Sequence, residues 1–137
     1  MPKKIKVYLA GPLFTEAEMN QRKFEAERLR KLGYDVYSPL EQNADIGFHM
    51  DELYRRDIAA MTECDISVLC LDNLDSGTMS ELGWFVAKEK PVFSHWTNWK
   101  YPEPNNLFVR GLALEKRNKM FKDLEAMFAY LAEYIKE

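Results

Sequence analysis

The chain has 137 residues, 47% of them hydrophobic and 30% charged, with six Gly and six Pro. That length and balance predict one domain, residues 1–137, with a substantial buried core, and exclude disordered, collagenous and membrane-spanning chains. A formal net charge of −3 gives no electrostatic footing for nucleic acid, and the short basic runs "PKKIK" and "EKRNK" read as solvated surface.

The chain enters a folded pattern within about five residues, which predicts no signal peptide. Lys6 to Ala10, "KVYLA", predicts a buried strand that stops at Gly11-Pro12. Thr15-Glu16-Ala17-Glu18 fits a capping box, opening a helix to about Leu32 that ends at Gly33. "YDVYSP" predicts a second strand, ended by Pro39. After a polar loop, residues 48–63 predict a helix, and "DISVLCLD" a third strand. Its near-continuous apolar run favours a parallel strand covered on both faces. Residues 78–89 predict a helix, "PVFSHW" a fourth strand, and "WKYPEPNN" a loop. A short fifth strand at "KMF" precedes a final helix. There Phe121, Leu124, Phe128, Leu131 and Ile135 recur at helical spacing, with Met120, Met127 and Tyr134 beside them. Such a stripe suits packing against a sheet.

Strands alternating with helices predict an α/β domain with a mainly parallel sheet. Ligands of such sheets bind beyond the carboxyl ends of the strands. The segments there are "AGPLFT", "SPLEQN" and "LDSGTMSE".

Cys64 and Cys70 flank or lie in the third strand, in a spacing that suits no zinc motif. A disulfide within one short strand is geometrically disfavoured, and buried free thiols predict a reducing, cytoplasmic setting. The chain has no G-x-x-x-x-G-K-[ST] loop, no G-x-G-x-x-G fingerprint and no G-x-S-x-G elbow. The two histidines, His49 and His95, are too few for a zinc cluster and read as surface or packing residues. Neither metal nor cofactor is expected, which leaves carboxylates.

Asp57 falls in the middle of a helical face that also carries Met50, Leu53, Tyr54 and Met61. An inward carboxylate is costly unless it is paired or lines a cavity, so a salt bridge to Arg55 or Arg56 and a functional role both fit. Asp75 and Glu81 open the helix after the third strand. Thr78-Met79-Ser80-Glu81 matches a second capping box, with Asp75-Ser76-Gly77 as turn chemistry. The same place suits a nucleophile, because a helix amino end keeps a carboxylate ionised. Paired carboxylates at an anomeric carbon serve retaining glycosyl transfer.

Taken together, "VYLAGPLF", "RRDIAAMTECDISVL", "DSGTMSELGWFVA" and "PNNLFVRG" resemble the nucleoside 2-deoxyribosyltransferase family over most of the chain. The resemblance implies a flavodoxin-like doubly wound sheet of four to five strands flanked by helices. It also implies transfer of deoxyribosyl groups between nucleobases through a covalent enzyme intermediate. Glu81 would be the nucleophile, Tyr8 would position it, Asp75 would bind sugar hydroxyls, and Asp57 would hold or protonate the leaving base. Gly11, Phe14, Gln42 and Gly77 would contribute to substrate binding. Asn106 would reach a sugar hydroxyl in a neighbouring subunit, making the protein an obligate homo-oligomer. Its partners would be 2′-deoxynucleosides and free nucleobases, not nucleic acid or membrane.

Trp96, Trp99 and Tyr101 depart from better-known members and would form either a lid or an interface. Two rival readings share the fold. A deoxynucleoside 5′-monophosphate N-glycosidase needs a phosphate site, yet "AGPLFTEAE" offers no basic residue, although Arg110 could supply charge. A non-catalytic nucleotide-binding module would not need Glu81, Asp75, Asp57 and Tyr8 together.

Overall fold

The computed structural model describes residues 3–43, 49–97 and 106–137. Five strands, β1 (Lys6–Ala10), β2 (Asp35–Tyr37), β3 (Ile66–Cys70), β4 (Val92–His95) and β5 (Lys119–Phe121), form one sheet. Their order is β2-β1-β3-β4-β5 and every pairing is parallel. This is the flavodoxin-like arrangement, whose switch point lies between β1 and β3. The helices are α1 (Glu16–Leu32), α2 (Pro39–Gln42), α3 (Met50–Glu63), α4 (Ser76–Ala87), α5 (Leu107–Ala113) and α6 (Leu124–Tyr134).

Side chains alternate across the sheet, and both faces are apolar. On β1, Val7 and Leu9 pack with Ala26 and Leu29 of α1 and with Met127, Phe128 and Leu131 of α6. Tyr8 and Ala10 point the other way, toward Met61 of α3, Leu82 and Phe85 of α4 and Ala113 of α5. Each Val, Leu, Met or Phe among them contributes about 1.5–3 kcal/mol when fully buried. Phe121, placed by its spacing in the last helical stripe, belongs instead to β5.

Helix ends follow local chemistry. The Thr15 hydroxyl accepts from the Glu18 amide at 3.1 Å, and the Glu18 carboxylate accepts from the Thr15 amide at 2.9 Å. Gly33 closes α1 in the left-handed region at φ 106°, where glycine has no Cβ penalty. α3 has no basic residue in its last turn, and the Lys90 ammonium serves that end from outside. It donates to the carbonyls of Met61, Thr62 and Cys64 at 3.0, 2.7 and 2.7 Å. Among the described residues, no helix is long and apolar enough to cross a membrane.

Candidate active site

The residues of interest gather beyond the carboxyl ends of β1, β2 and β3, on the α3/α4 side of the sheet. Tyr8 is completely buried, and its hydroxyl donates a hydrogen bond to Glu81 Oε2. Burial first, then the charge of Glu81, pushes the Tyr8 phenol far above its ordinary range, so it stays a donor.

The capping expected of Glu81 is not found. α4 begins two residues earlier than its apolar pattern suggests, with Asp75 as its cap. Asp75 Oδ2 accepts from the Thr78 amide at 3.0 Å and the Thr78 hydroxyl at 2.8 Å. Two consecutive left-handed residues, Asn73 at φ 62° and Leu74 at φ 47°, turn the chain into that cap. Strain of this kind costs about 1–3 kcal/mol per residue and persists where the surroundings fix it. Aspartate outcompetes threonine for the cap because its carboxylate suits the unpaired amides. Glu81 therefore lies in the second turn, where the helix dipole has faded.

The electrostatics change accordingly. The expectation of a low Glu81 pKa is overturned: its carboxyl is pushed up to about 7. Burial is the main cause; the Tyr8 hydrogen bond pulls the other way, and the charges of Asp57 and Asp75 push it further up.

Asp57, half-buried on α3, makes neither of the arginine salt bridges considered from spacing. Arg56 pairs with Glu52 at 3.3 Å. Instead Asp57 Oδ1 accepts from the Tyr37 hydroxyl at 3.1 Å and from Asn43 Nδ2 at 2.9 Å. Burial raises its pKa, and these two hydrogen bonds oppose the rise. The apolar face around Asp57 is a cleft wall more than a packing face: Tyr54 is 67% exposed, while Met61 is buried.

Asp57, Asp75 and Glu81 line one cleft of about 520 Å³, the size of a small-molecule site. Its other walls are Leu9, Ala10, Gly11, Leu13 and Phe14 after β1, Pro39 after β2, Tyr54, Ile58 and Met61 from α3, and Gly77, Thr78, Ser80 and Trp84 from α4. None of these is basic. Gly11 lies directly on a buried guanidinium: a Cβ there would meet Arg22 Nη1 at 2.3 Å. Arg22 is clamped to Glu25 at 2.8 and 2.9 Å and donates to the Pro12 carbonyl at 3.3 Å.

Of the residues singled out from sequence, Tyr8, Asp57, Asp75, Glu81, Gly11, Phe14 and Gly77 are brought together. Gln42 is not; it lines a separate depression with Lys6, Asp35 and Cys64, and Asn43 is the neighbour that turns to Asp57. Asn106 stands apart as the cap of α5, accepting from the amides of Phe108 and Val109 at 3.0 Å each. Trp96 packs against the α3/α4/α5 core, and Trp99 and Tyr101 lie outside the described residues. His95 is fully buried, its Nε2 3.0 Å from Glu25, whereas His49 is exposed. Cys64 and Cys70 are free and buried, with thiols pushed up to about 12 by burial. Tyr37, Asn43 and Trp84 escaped the sequence reading. Trp84 had a usable signal, three residues past Glu81 on one helix face. Among the described residues, no group of three or more His, Cys, Asp or Glu is placed to hold a metal ion.

The chain is 42% identical over 104 residues to an uncharacterised protein of Ureaplasma parvum serovar 3, a stretch that takes in 67% of this chain and 66% of that relative's length. The solved 2-deoxyribosyltransferase of Bacillus psychrosaccharolyticus superposes with a TM-score of 0.74 at 28% identity, over 94% of this chain and 91% of that one. The CMP N-glycosidase of Clostridium botulinum shares the fold, with a TM-score of 0.65 at 21% identity over 94% and 98% of the two chains. A family profile described as nucleoside 2-deoxyribosyltransferase matches residues 7–124. The chain belongs to the nucleoside 2-deoxyribosyltransferase family.

Proposed function

We propose that the protein exchanges nucleobases on 2′-deoxynucleosides by retaining double displacement. The observation that carries this reading is the convergence of Tyr8-bound Glu81 with Asp57 and Asp75 in one cleft that has no basic wall among the described residues. Ionised Glu81 attacks the anomeric carbon, forming a carbon–oxygen bond as the carbon–nitrogen bond breaks. The departing electron pair takes a proton from Asp57. An acceptor base then returns a proton to Asp57 and displaces Glu81 from the same face. Asp75 is proposed to contact sugar hydroxyls.

The two raised carboxyls suit this sequence. Burial raises both, and the charge of Asp57 pushes Glu81 further up, so ionisation of one carboxyl disfavours ionisation of the other. A monophosphate substrate would add negative charge to a cleft already holding three carboxyls, which weighs against a nucleotide N-glycosidase.

The oligomer belongs to the same proposal. Phe14 is 82% exposed and Leu107 90%, and Phe108 is also largely exposed, leaving apolar surface that a second copy would cover. Asn106 would then be supplied in trans. A cytoplasmic setting is in keeping with the two unpaired buried thiols.

The test is incubation with thymidine and free adenine. Thymine and deoxyadenosine should form, and omitting adenine should slow thymidine loss sharply. Rapid release of free deoxyribose without acceptor would instead indicate a hydrolase, and full exchange by Glu81→Ala would refute the nucleophile.

A further inference from the structure

β1 and β2 are parallel, and Tyr8 and Tyr37 are register partners. Their side chains emerge on the same face of the sheet, and the rings stack at 5.6 Å with 14° between planes. Each hydroxyl reaches a different carboxylate on a different helix: Tyr8 reaches Glu81 of α4, and Tyr37 reaches Asp57 of α3 at 3.1 Å. Asn43 adds a second donor to the same Asp57 oxygen at 2.9 Å. Among the described residues Oδ2 of Asp57 accepts no hydrogen bond, and Asp57 lines the cleft.

The geometry points to Tyr37 and Asn43 as positioning residues that hold Asp57 by Oδ1 and present Oδ2 to the base as the proton-carrying oxygen. This rests on the exchange reading given above and adds to it a division of labour within one carboxyl group. A carboxyl hydrogen on Oδ1 would compete with two donors already pointed at that atom, so the proton resides on Oδ2. When the carbon–nitrogen bond breaks, that proton passes to the leaving nitrogen, and the resulting carboxylate keeps both donors on Oδ1. An acceptor base then gives its N–H proton back to Oδ2. Tyr37 and Asn43 touch neither sugar nor base in this scheme; they fix the rotation of Asp57 about its side-chain bonds. The ring stack couples the two, because Tyr8 and Tyr37 set nucleophile and proton carrier from adjacent strands.

The test compares two donors, with Tyr37→Phe as the main variant because it keeps the stacked ring and removes only the hydroxyl. One donor is thymidine, whose base needs a proton to leave; the other is p-nitrophenyl 2-deoxyriboside, whose leaving group departs without one. In a single turnover, before any acceptor must lose a proton to Asp57, Tyr37→Phe and Asn43→Ala should each slow thymine release by about tenfold or more, the scale of a hydrogen bond to a charged group, and leave nitrophenol release within about twofold of wild type. Asp57→Asn should slow single-turnover thymine release by more than either variant. Equal losses on both donors, or no loss on either, would overturn the assignment. Asn43→Ala keeps the test decisive if Tyr37→Phe folds poorly. A wild type inactive on every deoxyriboside would sink the exchange reading and this inference with it; an active wild type with unselective variants sinks this inference alone.

Discussion

Replacing Glu81 by glutamine removes a charge that the fold holds at a disadvantage, and the size of that disadvantage follows from the structure. A carboxyl that titrates near 4.5 in an unfolded chain titrates at about 7 beside Tyr8, chiefly because burial disfavours the ionised form. The folded state therefore holds the proton more tightly than the unfolded one. Its contribution to stability is complete below pH 4.5 and is lost as pH rises through about 7. At about 1.36 kcal/mol per tenfold change in proton affinity, the loss amounts to up to about 3 kcal/mol, less what water in the open cleft screens. Glutamine keeps an acceptor for the Tyr8 hydroxyl and never ionises. Urea unfolding of wild type and Glu81→Gln across this range should give a stability gap that opens with rising pH. The variant gains up to about 3 kcal/mol near pH 8 relative to its position near pH 4.5, equivalent to a thermal midpoint about 10 °C higher. A gap that stays constant with pH, or one that favours wild type more as pH rises, would refute the desolvation argument.

The same titration governs catalysis: kcat/KM for deoxynucleosides should fall tenfold per pH unit on the acid side of about 7. Tyr8→Phe removes the hydrogen bond that favours the ionised carboxylate, so this acid limb should move to higher pH and the plateau should drop by about 10–100-fold. Thymidine 5′-monophosphate should be a poorer deoxyribosyl donor than thymidine by about tenfold or more in kcat/KM, since a cleft holding three carboxyls repels it. Gly11→Ala should cost about 1–3 kcal/mol in urea unfolding, because its Cβ would meet the clamped Arg22 guanidinium. Its KM for the base should rise as the cleft floor shifts.

Much of the architecture was legible in local pattern. The runs that became β1, β3 and β4 are mostly apolar, and the Thr15 box and Gly33 stop bound α1 where their chemistry requires. α5 was not legible: it spans only seven residues, and its inward face, Val109, Leu112 and Ala113, is too short to show a helical period. At the site, Asp75 and Glu81 stood out as carboxylates following β3, and Asp57 as a carboxylate on an apolar helical face. The partners of Asp57 did not, because the Tyr37–Asp57 contact spans 20 residues and depends on strand pairing as well as helix position. The protonation of Glu81 was misread for a simpler reason. Two overlapping caps, Asp75 to Thr78 and Thr78 to Glu81, compete in the sequence, and the choice between them moves Glu81 by a turn. Once it sits in the second turn, burial rather than the helix dipole sets its charge.

The pairing of Tyr8 with Tyr37 also bears on how such a cleft can diverge. Adjacent strands in any parallel sheet stand about 4.8 Å apart, a spacing fixed by backbone hydrogen bonding and indifferent to the connecting chain. Two phenols of equal length rising from neighbouring strands transfer that interval to the two carboxylates above them. The connections after β1 and β2 can thus lengthen, shorten or exchange side chains other than Asn43 with little effect on the interval between the two carboxylates. Substrate preference is free to drift in those segments while the reaction centre inherits its dimensions from the lattice of the sheet.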